Sequence, residues 1–361
     1  MKKIGVLTGG GDAQPLNAAL SAIVKTAVSK GYEVVGFEKG FEGVLSPMLF
    51  RDLTLKSVRG ISHTGGTILH TVNKGRFSSK VGMGETKQIP VEILEEAKRN
   101  LDSVGVDTLI VIGGDGTLNA AYQLAKYGIK IIGVPKTIDN DILNTDKTFG
   151  FSTAVDIVVD AVDKVHTTAT SHDRAIFVEV MGRNSGWIAL HGGFAGGADL
   201  ILVPEIPFDY NKIIKFLRKR KETGYRASVV VVSEGAKELE GEAVVKDKNL
   251  EDSEYKLGAI SLQLIDHIEK LAPGEFDLRN VVLGHVQRGG SPNAEDRVLA
   301  KTYGVAAIDA IDNGQYDVML SMQDNKIVHI PLSEVKEKTK TIEKGNLILE
   351  SAKKMGVYFG D

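Results

Sequence analysis

The chain has 361 residues, which corresponds to about two domains at ~150 residues each. Its 44 Lys and Arg stand against 47 Asp and Glu, a net charge of −3, too even for a nucleic-acid scaffold or a membrane-surface protein. The lack of cysteine excludes disulfide frameworks, thiol catalysis and Cys-ligated zinc and fits a reducing, cytoplasmic setting, and no run of about 18 apolar residues exists to span a membrane.

From the start, Met1-Lys2-Lys3-Ile4-Gly5-Val6-Leu7 has a basic flank but meets a glycine turn too soon for a signal peptide. Ile4–Thr8 has the pattern of a buried strand. After Pro15, apolar residues recur at Leu20, Ile23, Val24, Ala27 and Val28, the spacing of a helix, with Gly31 as its stop. Further strands are expected at Val34–Phe37, Thr108–Ile112, Ile131–Val134, Ile176–Val180, Ile201–Val203, Ser228–Ser233 and Val281–Leu283. Helices are expected at Val91–Val104, Leu118–Tyr127, Thr153–Thr168, Asn211–Lys221 and Leu257–Leu271. Continuous apolar strands alternating with helices predict an α/β fold with mostly parallel sheets covered on both faces, the chain switching from one to a second near residue 150. The charged stretch Lys237–Lys256 has little periodicity and reads as a solvated excursion. Glycine is the outlier, with 40 residues where an average of ~7% would give about 25.

In an open α/β sheet, ligands bind beyond the carboxyl ends of the strands, and three unusual segments fall there. The first, Thr8-Gly9-Gly10-Gly11-Asp12, can aim backbone N–H groups at an anion, though a plain tight turn would read the same way. It fits neither G-x-x-x-x-G-K-[ST] nor G-x-G-x-x-G. The second, Gly113-Gly114-Asp115-Gly116-Thr117, repeats the device and adds a hard oxygen ligand suited to Mg²⁺, with a helix-capping Asp115 as the structural alternative. The third, Pro135-Lys136-Thr137-Ile138-Asp139-Asn140-Asp141, sets two carboxylates two residues apart, where a helix cap would need one. One could accept the proton of an attacking hydroxyl while the other holds metal or orients the first. Together these compose a phosphoryl-transfer site, which also needs fixed cations. Arg174, Arg183, Arg279 and Arg288 lie at apparent strand ends and suit bidentate phosphate capture.

The same residues resemble the 6-phosphofructokinases, of the phosphofructokinase A type, over nearly the whole chain. The resemblance runs through the first Gly-Gly-Asp turn, Gly113–Thr117, Pro135–Asp141, Glu179-Val180-Met181-Gly182-Arg183, Ser233-Glu234-Gly235 and Gly284-His285-Val286-Gln287-Arg288-Gly289-Gly290-Ser291-Pro292. It implies phosphoryl transfer to the 1-hydroxyl of fructose 6-phosphate, giving fructose 1,6-bisphosphate. It also implies two Rossmann-like three-layer α/β/α domains with the active site in the cleft between them. Residues 1–150 with about 287–335 would hold the donor, and 151–286 with about 336–361 the sugar phosphate. Asp139 matches the general base, Thr137 a hydroxyl on the transferring group, Gly11 an amide that stabilises it and Arg183 a cation that neutralises its charge. Asp115 and Asp141 match the magnesium carboxylates. Met181, Gly182, Glu234, Arg279, His285 and Arg288 match sugar-phosphate residues. Arg174 matches a cation lent by a neighbouring subunit, which implies a homo-oligomer, a dimer or tetramer.

Gly10, Gly11, Lys74, Arg76, Gly114, Asp115, Gly116, Thr117 and Lys136 form the expected donor set. Gly116 matches the ATP users, because a side chain there would fill the room of the α-phosphate; Lys136 matches the pyrophosphate users. Steric room weighs more than one added cation, so ATP is the expected donor and pyrophosphate the alternative. Asn73 stands where the family often has an arginine that bridges donor and sugar, with Lys74 and Arg76 as candidate replacements. Ser21, Leu55 and His166 replace basic residues of the bacterial effector site, leaving Lys25, so a weak response to a nucleoside diphosphate is expected. NAD kinases and diacylglycerol-type lipid kinases share Gly-Gly-Asp-Gly-Thr but lack the other runs. An inactive sugar-phosphate sensor should have lost Asp115, Asp139 or Asp141, and all are present. Trp187 reads as a packing residue, and His63 and His70 as solvent-facing.

Overall fold

The apolar runs form strands β1 (Lys3–Thr8), β2 (Glu33–Phe37), β3 (Phe50–Leu53), β4 (Lys80–Val81), β5 (Glu85–Thr86), β6 (Val106–Gly113), β7 (Lys130–Pro135), β8 (Ala175–Val180), β9 (Leu200–Leu202), β10 (Ser228–Ser233), β11 (Leu278–Val282), β12 (Val318–Gln323) and β13 (Lys326–Pro331). The helices are α1 (Leu16–Ser29), α2 (Val91–Ser103), α3 (Asp115–Ala125), α4 (Phe151–His172), α5 (Trp187–Ala195), α6 (Tyr210–Glu222), α7 (Ile260–Leu271), α8 (Ala294–Asp312) and α9 (Leu347–Lys354). This computed structural model describes residues 2–72, 75–77, 80–81, 85–86, 88–239, 260–335 and 339–361. The chain divides into two units, Met1–Ser152 with Arg288–Lys338 and Thr153–Gln287 with Thr339–Asp361.

The first unit holds a seven-stranded sheet of order β13-β12-β7-β6-β1-β2-β3. Its five inner strands pair parallel, and β3 and β13 close the two edges antiparallel. Successive side chains of a strand point to opposite faces, and the two cores follow from that. Ile110 and Ile112 of β6 join α1 and α8 on one face, through Leu20, Ile23, Tyr303 and Ala307. Leu109 and Val111 join α2 and α3 on the other, through Leu94, Leu101, Leu118 and Leu124. The inner strands therefore read as unbroken apolar runs.

The crossing of α1 and α8 depends on Gly304, where a Cβ would stand 2.7 Å from Ala22 Cβ, 2.8 Å from Ala19 O and 3.1 Å from Ile23 N. Backbone cannot step aside as a flexible side chain can. Gly304→Val is expected to destabilise the protein by about 3 kcal/mol, the upper end for overpacked cores. Urea unfolding measures this, and an unchanged midpoint would show that the helices are not in this close contact.

The second unit holds a four-stranded, all-parallel sheet of order β11-β8-β10-β9. Phe177, Val230 and Val232 pack on one face against Ile213 and Leu217 of α6 and Leu264 and Ile268 of α7. Asp209 caps α6 by accepting the N–H of Asn211 at 2.7 Å, while Lys219, Arg220 and Lys221 sit in its last turn and complement the helix dipole. Helix α5 packs on β9 and β10. Trp187 is buried at its start and donates from Nε1 to Lys340 O at 2.8 Å, the packing role expected of it. No helix among the described residues is long and apolar enough to cross a membrane.

The α/β class with mostly parallel sheets is as expected, and several elements differ from the sequence reading. Helix α3 begins at Asp115, so Asp115, Gly116 and Thr117 form its first turn. Strand β11 begins at Leu278, ahead of the expected Val281. Helix α8 and the β12–β13 hairpin were not expected, because α8 is buried around much of its girth by small residues and shows no clean apolar stripe. Of the stretch Lys237–Lys256, residues 240–256 lie outside the described residues, as do 257–259 ahead of α7.

Candidate active site

In the first unit, β1, β6 and β7 lie side by side and parallel, so their carboxyl ends bring three loops together. Gly9 N–H donates to Ile112 O at 2.8 Å, and a Cβ on Gly9 would stand 2.6 Å from Thr117 Cγ2. The first loop thus lies directly on the second, and only glycine fits between them. Gly10 takes φ +74°, the left-handed region, and its carbonyl accepts the Thr71 hydroxyl at 2.6 Å. Asp115 accepts the N–H of Gly116 at 2.7 Å. The third loop joins through Lys136, whose N–H donates to Gly113 O at 2.9 Å.

Lys136 is the electrostatic centre of this unit. It is buried, and its Nζ donates to Gly11 O. Burial, with the Arg288 guanidinium nearby, pushes its pKa down to about 7, against the opposing pull of Asp12, Asp139 and Asp115. Arg288 Nη1 donates to Asp12 O at 3.0 Å, and a Cβ on Gly11 would meet that same Nη1 at 2.7 Å. Arg288, matched to the sugar-phosphate residues, lies in the first unit as the expected return of the chain near residue 287 implies, over the Gly11 turn.

The carboxylates of the third loop are held by backbone geometry. Asp139 N–H donates to Thr137 Oγ1 at 3.1 Å, and Asn140 takes φ +52°. Asn140 is buried and accepts the Thr148 N–H at 3.1 Å, while the Thr148 hydroxyl donates to Thr137 O at 2.8 Å. Thr71 and Thr148, absent from the sequence reading, are what lock the first and third loops. Each acts on a backbone atom more than ten residues away and leaves no local motif.

In the second unit, β11, β8 and β10 are neighbours, and the loops at their carboxyl ends carry Met181–Arg183, Ser233–Gly235 and Gly284–Gln287. Gly182 takes φ +130° and its carbonyl accepts the Ser233 hydroxyl. Glu234 N–H donates to Val180 O at 2.8 Å, and a Cβ on Gly235 would stand 1.9 Å from Arg183 O, so the two loops touch along their backbones. Arg183 keeps its Nη2 buried with no hydrogen-bond partner among the described residues, the state of a cation shaped for an anion. Met181 is buried, Glu234 half-buried and His285 exposed. Glu205 steadies the stretch after Arg183, accepting the N–H groups of Gly186 and Ile342 at 3.0 Å, and burial raises its pKa.

Arg174 and Arg279 stand elsewhere. Arg174 immediately precedes β8 and Arg279 is the second residue of β11, so both lie at the amino ends of these parallel strands. Asp277 holds both, taking Arg174 Nε at 2.7 Å and Arg279 Nη1 at 2.6 Å, and the hydrogen bond from Arg174 lowers its pKa. At ~3.3 Å per residue, the seven steps from Arg174 to Met181 span about 23 Å. Arg279, grouped with Met181 and His285 in the sequence, belongs with Arg174 in space. Arg76 is turned to other uses as well: Nε lies 3.2 Å from Glu42 and Nη1 3.9 Å from Glu96. Asn73 and Lys74 lie outside the described residues. His63 and His70 are exposed.

Residues 3–311 match the family model described as Phosphofructokinase. A Clostridium perfringens protein named ATP-dependent 6-phosphofructokinase 2 is 45% identical over 365 residues, covering 100% of this chain and 99% of the relative. The chain belongs to the phosphofructokinase family. A Streptomyces coelicolor relative named pyrophosphate--fructose 6-phosphate 1-phosphotransferase is 42% identical over 361 residues, covering 99% of this chain and 100% of its own length. The structure of phosphofructokinase from Saccharomyces cerevisiae superposes with a TM-score of 0.78 at 31% identity over 93% of this chain, which spans 45% of the yeast chain. Both donor classes thus occur among relatives of similar identity. The motifs that carried the resemblance occupy adjacent loops at the carboxyl edges of the two sheets, whereas Arg174 and Arg279 do not.

Proposed function

We propose that the protein transfers a phosphoryl group to the 1-hydroxyl of fructose 6-phosphate, giving fructose 1,6-bisphosphate. The carrying observation is the gathering of the Gly11 turn, Asp115, Asp139 and Arg288 around buried Lys136 in one unit. Asp139 accepts the proton of the attacking hydroxyl, the Gly11 amide and Lys136 meet the transferring group, and Arg183 neutralises its charge. Thr137 contacts the same group, and Met181, Gly182, Glu234 and His285 bind the sugar phosphate. No three His, Asp or Glu converge among the described residues, so no all-protein metal cage is present there. The set instead fits Mg²⁺, which is held by one or two carboxylates together with substrate phosphates. Asp115 and Asp141 would hold it, and when bound it screens phosphate charge.

The preferred donor is ATP, because Gly116 presents no side chain in the first turn of α3. Pyrophosphate is the second reading, favoured by Lys136 in the cradle. Arg174 and Arg279, tied to one carboxylate at the far end of their strands, serve the sugar site of a second copy, so the working form is a homo-oligomer; a chain without cysteine fits the reducing cytoplasm as its setting. The test offers the purified protein fructose 6-phosphate and Mg²⁺ with ATP or pyrophosphate in separate reactions. Turnover is expected with ATP; turnover with pyrophosphate alone would reverse the donor assignment, and turnover with neither would overturn the reading.

A further inference from the structure

The run His285-Val286-Gln287-Arg288 contains a polar residue, Gln287, that the proposed chemistry does not use. Gln287 is fully buried at 0% exposure. Its Oε1 accepts the Met181 N–H at 3.2 Å and its Nε2 donates to Gly284 O at 3.0 Å. The two loops it joins follow β8 and β11, which pair parallel as far as Val282 and Glu179. Leu283 N–H then donates to Glu179 O at 3.0 Å, the last backbone link before the strands part. Beyond that point Met181 has no facing strand, and the Gln287 amide supplies the acceptor its N–H needs. The same amide holds Gly284, which has φ +51° and opens the turn that carries His285.

We propose that Gln287 is a positioning residue for sugar-phosphate binding, fixing Met181 and His285 at a set spacing through one side-chain amide. This rests on the fructose 6-phosphate reading above. An apolar side chain of equal size would fill the space but take the acceptor from the buried Met181 N–H and the donor from Gly284 O. A glutamate would keep the acceptor for Met181 and set an oxygen against the Gly284 carbonyl. Both loops would then drift apart without any loss of volume.

The full-length variants Gln287→Met and Gln287→Glu separate positioning from packing. In Gln287→Met the KM for fructose 6-phosphate is expected to rise ~10-fold, the worth of about one buried hydrogen bond, with the donor KM unchanged. Gln287→Glu is expected to rise ~3-fold, a partial rescue through the retained acceptor. A sugar-phosphate KM that stays at the wild-type value in a folded variant overturns the proposal, as does a parallel rise in both KM values. If Gln287→Met does not fold, Gln287→Glu decides. Hydrogen exchange at the Met181 amide supplies a readout without turnover: it should lose protection in Gln287→Met, and unchanged protection refutes the bond. Wild-type protein that turns over no fructose 6-phosphate sinks the functional reading and leaves this exchange test standing.

Discussion

Asp139→Ser is expected to lower kcat by about 10³–10⁴-fold, the upper range for loss of a general base, while sugar-phosphate affinity stays within a few-fold. The carboxylate stands on a loop whose every turn is tied. Its own N–H is held by Thr137 Oγ1, the next residue is in the left-handed region, and Thr148 grips both Asn140 and Thr137. Serine at position 139 keeps the loop and removes the base. The effect should therefore fall on the chemical step and spare binding, a division that a collapsed loop would not give. Steady-state kinetics paired with direct titration of fructose 6-phosphate reads both quantities. A variant retaining a tenth of wild-type turnover would remove Asp139 from the mechanism.

The parts of the fold that the sequence disclosed are those in which local pattern and environment coincide. Inner parallel strands are buried on both faces, so Thr108–Ile112 and Ser228–Ser233 appear as unbroken runs wherever they sit. The glycine loops were legible because a close approach admits no Cβ, as Gly9 against the Thr117 side chain and Gly235 against the Arg183 backbone demonstrate. Helix α8 was hidden because Gly304 and Ala307 make contact by smallness, not by an apolar stripe. Arginine near a strand was informative about phosphate chemistry, but not about which end of the sheet it occupies. That distinction depends on whether the residue precedes or follows the strand, and it moves Arg279 to the side of Arg174 once β11 is seen to begin at Leu278. Thr71, Thr148 and Gln287 escaped notice for another reason. Their partners are backbone atoms distant in the chain, and a polar side chain bonded to remote backbone leaves no periodicity to read.

Lys136 gives the second large effect and a pH dependence with a definite sign. In the free protein its pKa lies at about 7 against an ordinary 10.5, with burial the leading cause and Arg288 the next. Between those values the unfolded chain binds the proton and the folded chain does not, so stability should rise as pH increases from about 7 to 10. That slope should be absent in Lys136→Met, which thermal melts across the interval will show. An anionic donor reverses the preference, because a phosphate beside Nζ favours the charged form. Charged Lys136 falls about tenfold in population between pH 6 and pH 8, and donor kcat/KM should fall by the same factor beyond the donor's own ionisation. Lys136→Met should lower donor kcat/KM by about 10²-fold at pH 6 and flatten the profile, since no proton remains to be taken up. The loss would shrink at higher pH, where the wild-type lysine is itself neutral. Parallel profiles for the two proteins, offset by a constant factor, would mean that Lys136 does not titrate in this range and contributes only its shape to the cradle.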